Sequence, residues 1–164
     1  MGTGGVFLRK LRAKVDDRPT GFVWIEDHKL AGSGYPASRA QVGWLSKNGV
    51  RSILTLTEEP LPVEWVQGLG VTSAHIPMKD HDMPNVDSME EGVRFIEAQK
   101  REGRAVLVHC LAGEGRTGCV LAAYLIRTRG IGAEQAISTL RALKPEFVEW
   151  RQEKAVYDFA SRET

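Results

Sequence analysis

The residues with chemistry to offer lie between two apolar stretches. Ala105-Val106-Leu107-Val108 is continuously apolar, and Cys119 to Ile126 is apolar nearly all round. The first reads as a central parallel strand covered on both faces and the second as a buried helix. Joining them is His109-Cys110-Leu111-Ala112-Gly113-Glu114-Gly115-Arg116-Thr117. In an open α/β sheet such a connection lies beyond the carboxyl end of a strand, where ligands bind. Its chemistry favours an anion. A helix start offers unpaired N–H groups and the positive end of a dipole. Gly113 and Gly115 let the loop curl, so that the amides of Leu111, Ala112, Gly113, Glu114, Gly115 and Arg116 converge as a nest. Arg116 adds a planar fork suited to two phosphate oxygens. At this helix N-terminus beside a guanidinium, Cys110 is expected as a thiolate nucleophile. His109 precedes it in an extended chain and points to the opposite face, so it can act only by fixing the loop backbone from behind.

Positioning these groups requires an alternation of strands and helices. Strands are predicted over Phe22 to Ile25, Val50 to Thr57 and Val71 to Ile76, rich in β-formers. Ser38-x-x-Gln41 resembles a capping box and Asn48-Gly49 a helix stop, so a helix lies between them; Ser88-x-x-Glu91 opens another, with Met89, Val93 and Ile96 on its buried face. Helical spacing recurs over Ala133 to Leu143 and Val148 to Phe159. The fold class is α/β, a central largely parallel sheet flanked by helices. Residues 20–164 are expected as a single catalytic domain. Residues 1–19 form a basic extension carrying Arg9, Lys10, Arg12 and Lys14, with Phe7, Leu11 and Val15 at helical spacing.

His109-Cys110-x5-Arg116-Thr117 resembles the active-site loop of the protein-tyrosine phosphatase superfamily, close to its dual-specificity branch. Trp24, Leu30-Ala31-Gly32, Gly49-Val50, Leu56-Thr57-Glu58, Ile76-Pro77 and Gln152-Glu153-Lys154-Ala155-Val156 are similar to the small VHZ-type and archaeal members, a likeness running from about Thr20 to Phe159. The resemblance implies the cysteine-phosphatase fold and a two-step hydrolysis through a phosphocysteine. It implies a mobile loop at Lys79-Asp80-His81-Asp82-Met83-Pro84, with Asp80 as the acid that protonates the leaving oxygen and Asp82 as the alternative. It also implies that Thr117 donates to the sulfur as it leaves and that Gln152 positions the hydrolytic water. Lys144-Pro145-Glu146-Phe147 departs from the Arg-Pro-Gly-Ser type of turn of these relatives, and the segment up to Gln152 is one residue shorter. Glu114 brings a carboxylate into the phosphate loop and is expected to point outward.

Composition narrows the alternatives. The chain has 164 residues, 42% hydrophobic and 26% charged, with a net charge of +1. That is a soluble globular profile with no global pull toward nucleic acid. Two cysteines make no disulfide framework, and no stretch approaches a membrane span, so a cytoplasmic monomer acting on a phosphoprotein or phosphopeptide is expected, without membrane or nucleic-acid partners. No cofactor or metal is needed where the loop supplies the positive charge. Three rival readings differ in class. Gly113-x-Gly115-x-x-Gly118 matches a dinucleotide fingerprint but gives Cys110 and Arg116 no purpose. Asp80-His81-Asp82 with His75 or His109 offers a metal hydrolase without paired ligand spacing. A phosphoprotein-binding module would need no acid. Cys119 reads as a small apolar filler, or alternatively as a resolving thiol for oxidised Cys110; Trp24 and Trp44 read as packing residues, and His28 as a surface residue. Without a long recognition loop the cleft is expected to be shallow and to admit both ester classes, phosphotyrosine better than phosphoserine or phosphothreonine.

Overall fold

Five strands and six helices follow one another along residues 17–164, the part that the computed structural model describes. The proposed helix through Phe7, Leu11 and Val15 lies outside the described residues. In order these are β1 (Val23–Glu26), β2 (Leu30–Ser33), α1 (Arg39–Lys47), β3 (Val50–Thr55), α2 (Val63–Val66), β4 (Thr72–His75), α3 (Val86–Arg101), β5 (Ala105–His109), α4 (Gly115–Arg129) and α5 (Ala133–Leu143). A 3₁₀ turn (Trp150–Gln152) then leads into α6 (Glu153–Glu163). The sheet runs β1-β2-β5-β3-β4; β1 pairs antiparallel with β2 and every other pair is parallel.

β5 lies at the centre and all five of its residues are buried, as its apolar sequence demands. Alternation divides its side chains between two cores. Val106 and Val108 join the larger cluster with α3, α4, α5 and α6. Leu107 joins the smaller one with Ala31, Ile53, and Val42 and Leu45 of α1. Trp24 and Trp44 pack edge-to-face on Phe22, each at 5.2 Å between ring centroids, at the margin of the smaller core. Fully burying each such aliphatic side chain stabilises the fold by about 1.5–3 kcal/mol before entropy is counted.

Local chemistry sets the boundaries. Ser38 Oγ accepts from Gln41 N at 3.2 Å, while the Gln41 amide oxygen accepts from Ala37 N at 2.8 Å, one residue earlier than in a reciprocal capping box. Gly49 adopts φ +96°, a conformation that favours glycine, and ends α1 where Asn48-Gly49 predicted it. The start expected at Ser88 is corrected. α3 begins at Val86 because Asn85 Oδ1 accepts from Asp87 N at 2.7 Å, capping the helix before Ser88 is reached. β2 was not expected as a strand; Leu30-Ala31-Gly32-Ser33 is fully buried between β1 and β5. The last apolar pattern divides, with Val148 at φ +62° preceding the 3₁₀ turn and α6.

Candidate active site

β3 and β5 are parallel neighbours in register, with Thr55 opposite His109. The segments that leave their carboxyl ends therefore meet: Thr57-Glu58 from β3 and Cys110 from β5. Between β5 and α4 the loop of residues 110–114 curls against β2. Gly113 sits at φ +74°, and a Cβ there would fall 2.3 Å from the Ser33 carbonyl carbon, so no side chain fits. The loop's carbonyls are tied from outside. Tyr35 N donates to Leu111 O at 2.9 Å, Lys144 Nζ to Gly113 O at 3.2 Å, and Val148 N to Glu114 O at 3.1 Å. No backbone N–H from Leu111 to Glu114 donates to another group among the described residues. Those amides and the first turn of α4 are thus available to an anion. Lys144, at the end of α5, serves as one of the external ties.

Behind the loop, His109 Nδ1 lies 3.1 Å from Cys110 O and its Nε2 lies 2.8 Å from Thr55 Oγ1. A carbonyl only accepts, so Nδ1–H donates to Cys110 O and Nε2 accepts from the Thr55 hydroxyl. Burial, aided by the Arg116 charge, pushes the His109 pKa down to about 4, which keeps the ring neutral. Cys110 and Arg116 are each only 2% exposed.

Arg116 is fixed by three partners. Its Nη1 donates to Glu58 Oε1 at 2.8 Å and to Met78 O at 2.9 Å, and its Nη2 lies 3.0 Å from Asp80 Oδ1. Asp80 N in turn donates to Glu58 Oε1 at 3.1 Å. Of the two candidate acids the structure brings Asp80 to Arg116; Asp82 instead places Oδ2 3.8 Å from Lys79 Nζ at the surface. Glu58, which holds both Arg116 Nη1 and Asp80 N, was not among the site residues expected from the sequence. The available clue was an acid just past the end of the strand neighbouring β5.

Thr117 Oγ1 and Gln152 Oε1 are buried without a hydrogen-bond partner among the described residues. Gln152 Oε1 faces the start of α4 so closely that a Cβ on Gly115 would lie 2.3 Å from it. Glu114 is half-buried and makes no ion pair among the described residues. Cys119 is fully buried in α4, where burial pushes its thiol pKa up and its Sγ lies 3.8 Å from Gln152 O. His75 Nε2 lies 2.7 Å from Thr57 O, and no group of three potential ligands converges among the described residues. His28, exposed as expected, stands 3.6 Å from Asp27 and near Trp24.

A cleft of about 310 Å³ opens beside Arg116, lined by Tyr35, Thr57, Glu58, Glu59, Asp80 and Leu111. Leu111 stands 59% exposed at its rim, and Tyr35 is braced edge-on by Trp65 and His109. The arrangement offers a buried thiol, a fixed guanidinium, an anion nest and a carboxyl on a loop above them. That set can attack a phosphate ester, hold its oxygens and protonate its leaving group.

Comparison with known proteins agrees in sequence and in shape. The family profile described as "Swiss Army Knife protein, DSP-PTPase phosphatase domain" matches residues 19–156. Dual specificity protein phosphatase 12 of Mus musculus is 35% identical over 114 residues, 69% of this chain and 34% of that protein. The match therefore spans about a third of that relative's length. Tyrosine-protein phosphatase CDC14 of Saccharomyces cerevisiae is 25% identical over 142 residues, 87% of this chain and 25% of that protein. Among solved structures, Tk-PTP in its active form superposes with a TM-score of 0.78 at 28% identity, covering 87% of this chain and 97% of that one. Human DUSP28, at 21% identity and a TM-score of 0.74 over 89% of this chain and 98% of its own, shares the fold. No helix among the described residues is long and apolar enough to cross a membrane.

Proposed function

Because the chain belongs to the DSP-PTPase phosphatase-domain family, we propose that it is a protein-tyrosine/dual-specificity phosphatase working through a phosphocysteine. The observation that carries the reading is Arg116, 2% exposed and held by Glu58 and Met78 O with Asp80 3.0 Å away, at the start of the helix that the Cys110 loop leads into. Cys110 thiolate attacks phosphorus in line while the amides of residues 111–116 and the guanidinium hold the three equatorial oxygens. Asp80, as the neutral acid, passes its proton to the departing oxygen. Thr117, whose buried hydroxyl has no other partner among the described residues, donates to the sulfur as the phosphocysteine breaks. Water attacks in the second step, with Asp80 as base and Gln152 Oε1 as an acceptor that orients it. Residues 20–164 act as the catalytic domain, a cytoplasmic monomer that hydrolyses phosphoproteins or phosphopeptides.

Phosphotyrosine is the better substrate in this reading. Tyr35 and Leu111 give the cleft an apolar wall for a ring, and phenolate leaves more readily than alkoxide. With Leu111 standing exposed at the rim, the cleft is open enough to admit shorter side chains. Matched peptides carrying phosphotyrosine or phosphothreonine in one flanking sequence test the claim through kcat/KM. Phosphotyrosine should lead, with measurable turnover of phosphothreonine. Equal or greater efficiency on phosphothreonine would overturn the preference.

A further inference from the structure

The loop that carries Asp80 has little packing to hold it. Met78 and Pro84 are buried at its two ends, while Lys79, His81, Asp82 and Met83 are exposed. Hydrogen bonds and ion pairs must therefore set where Asp80 stands. Three of them, Arg116 to Met78 O, Arg116 to the Asp80 carboxylate and Asp80 N to Glu58, belong to the site already described. Two more come from the connection between α5 and α6 and have no part in the mechanism above. Gln152 Nε2 donates to Asp82 O at 2.9 Å. His81 lies between two carboxylates, with Nε2 3.5 Å from Asp80 Oδ2 and Nδ1 3.5 Å from Glu149 Oε2. To stand there His81 adopts φ +60°, which a non-glycine residue holds only when its surroundings favour it.

Gln152 itself calls for an explanation. Burying an amide is costly unless its polar atoms are used, and Gln152 is 1% exposed with Oε1 unpartnered. Its one side-chain hydrogen bond among the described residues goes to the acid loop. We propose that residues 149–152 form a clasp on the Asp80 loop, in which Gln152 and the Glu149–His81 contact are positioning residues for proton transfer to the leaving group. The clasp joins the shortened turn after Leu143 to the loop after β4. It holds the carboxyl within hydrogen-bond reach of the departing oxygen, the condition on which general acid catalysis depends. The inference rests on the reading of Asp80 as the acid, and adds to it what holds that acid in place.

The test compares kcat/KM for phenyl phosphate, a poor leaving group, with p-nitrophenyl phosphate, a good one. This constant reports the steps up to phosphocysteine formation, so effects on the hydrolytic water do not enter it. Asp80→Asn should lower kcat/KM on phenyl phosphate by about 10²–10⁴-fold. His81→Asn keeps a residue that tolerates positive φ and removes the imidazole; Gln152→Ala removes the amide. Each should lose roughly three- to tenfold on phenyl phosphate, the shift that one hydrogen bond can hold. Each should lose less on the nitrophenyl ester, and the Asp80→Asn/His81→Asn double variant should lose nothing beyond Asp80→Asn alone. Losses of equal size on both esters, or a full further loss in the double variant, would show a general structural role and overturn the clasp. Loss in Asp80→Asn with none in His81→Asn or Gln152→Ala would overturn the clasp alone. Undiminished phenyl phosphate turnover by Asp80→Asn would overturn the acid assignment and the clasp together. His81→Asn sits on the surface, so its result stands even if Gln152→Ala fails to fold.

Discussion

Cys110→Ser should abolish turnover of phosphate monoesters, by at least about 10⁴-fold, while the protein still binds inorganic phosphate or tungstate. A serine hydroxyl is a far weaker nucleophile toward phosphorus than a cysteine sulfur, so the nucleophile is lost with the sulfur. The bowl does not depend on that sulfur. Gly113 is locked against Ser33, Leu111 O is tied to Tyr35 N, and Glu114 O to Val148 N, all without the Cys110 side chain. His109 holds the Cys110 carbonyl, which serine retains. Turnover of a phosphotyrosine peptide, beside anion binding followed by thermal shift, separates the two properties. Substantial hydrolysis by a clean Cys110→Ser preparation would falsify the thiolate mechanism.

Arg116→Lys is the second large effect expected, a fall in kcat/KM of about 10²–10⁴-fold in a protein that remains folded. The guanidinium uses two nitrogens on three partners, with Nη1 on Glu58 and Met78 O and Nη2 on Asp80. An ammonium is a point charge on a shorter reach and cannot repeat that fork or grip two phosphate oxygens side by side. It also releases the Met78 carbonyl, so the acid loop loses one of its fixings together with the anion's main clamp. Steady-state kinetics on a phosphotyrosine peptide, with circular dichroism as the folding control, measure this. Near-normal kcat/KM would remove Arg116 from the site.

Much of this site was legible because its parts are contiguous. The buried strand, the loop of residues 110–114 and the helix that follows carry thiol, nest and guanidinium within a short span, and each type has one chemistry there. The partners that aim them were not legible, because they arrive from elsewhere in the chain. Glu58 reaches Arg116 across 58 positions, and although Leu56-Thr57-Glu58 belongs to the family likeness, nothing in the sequence pairs that acid with Arg116. β2 has no β-branched residue to announce it; Leu30-Ala31-Gly32-Ser33 is a strand because β1 and β5 pair with it on both sides. Even so, it supplies the wall that makes Gly113 obligatory. The resemblance put Asp80 ahead of Asp82 as the acid, and in the structure Asp80 faces Arg116 while Asp82 faces Lys79. For Gln152 the resemblance suggested a role with water, and the structure added a bond to Asp82 O that no pattern in the sequence foreshadows.

The most direct test of the central claim is to catch the phosphocysteine. Wild-type enzyme is mixed with a phosphotyrosine peptide, quenched in acid within the first turnover, digested and examined by mass spectrometry. One phosphoryl group should appear on the fragment that contains Cys110, rising as the tyrosine peptide is released and decaying as inorganic phosphate forms. Phosphate released in the first turnover with no phosphoryl group ever found on Cys110, or with it found on another residue, would contradict the account.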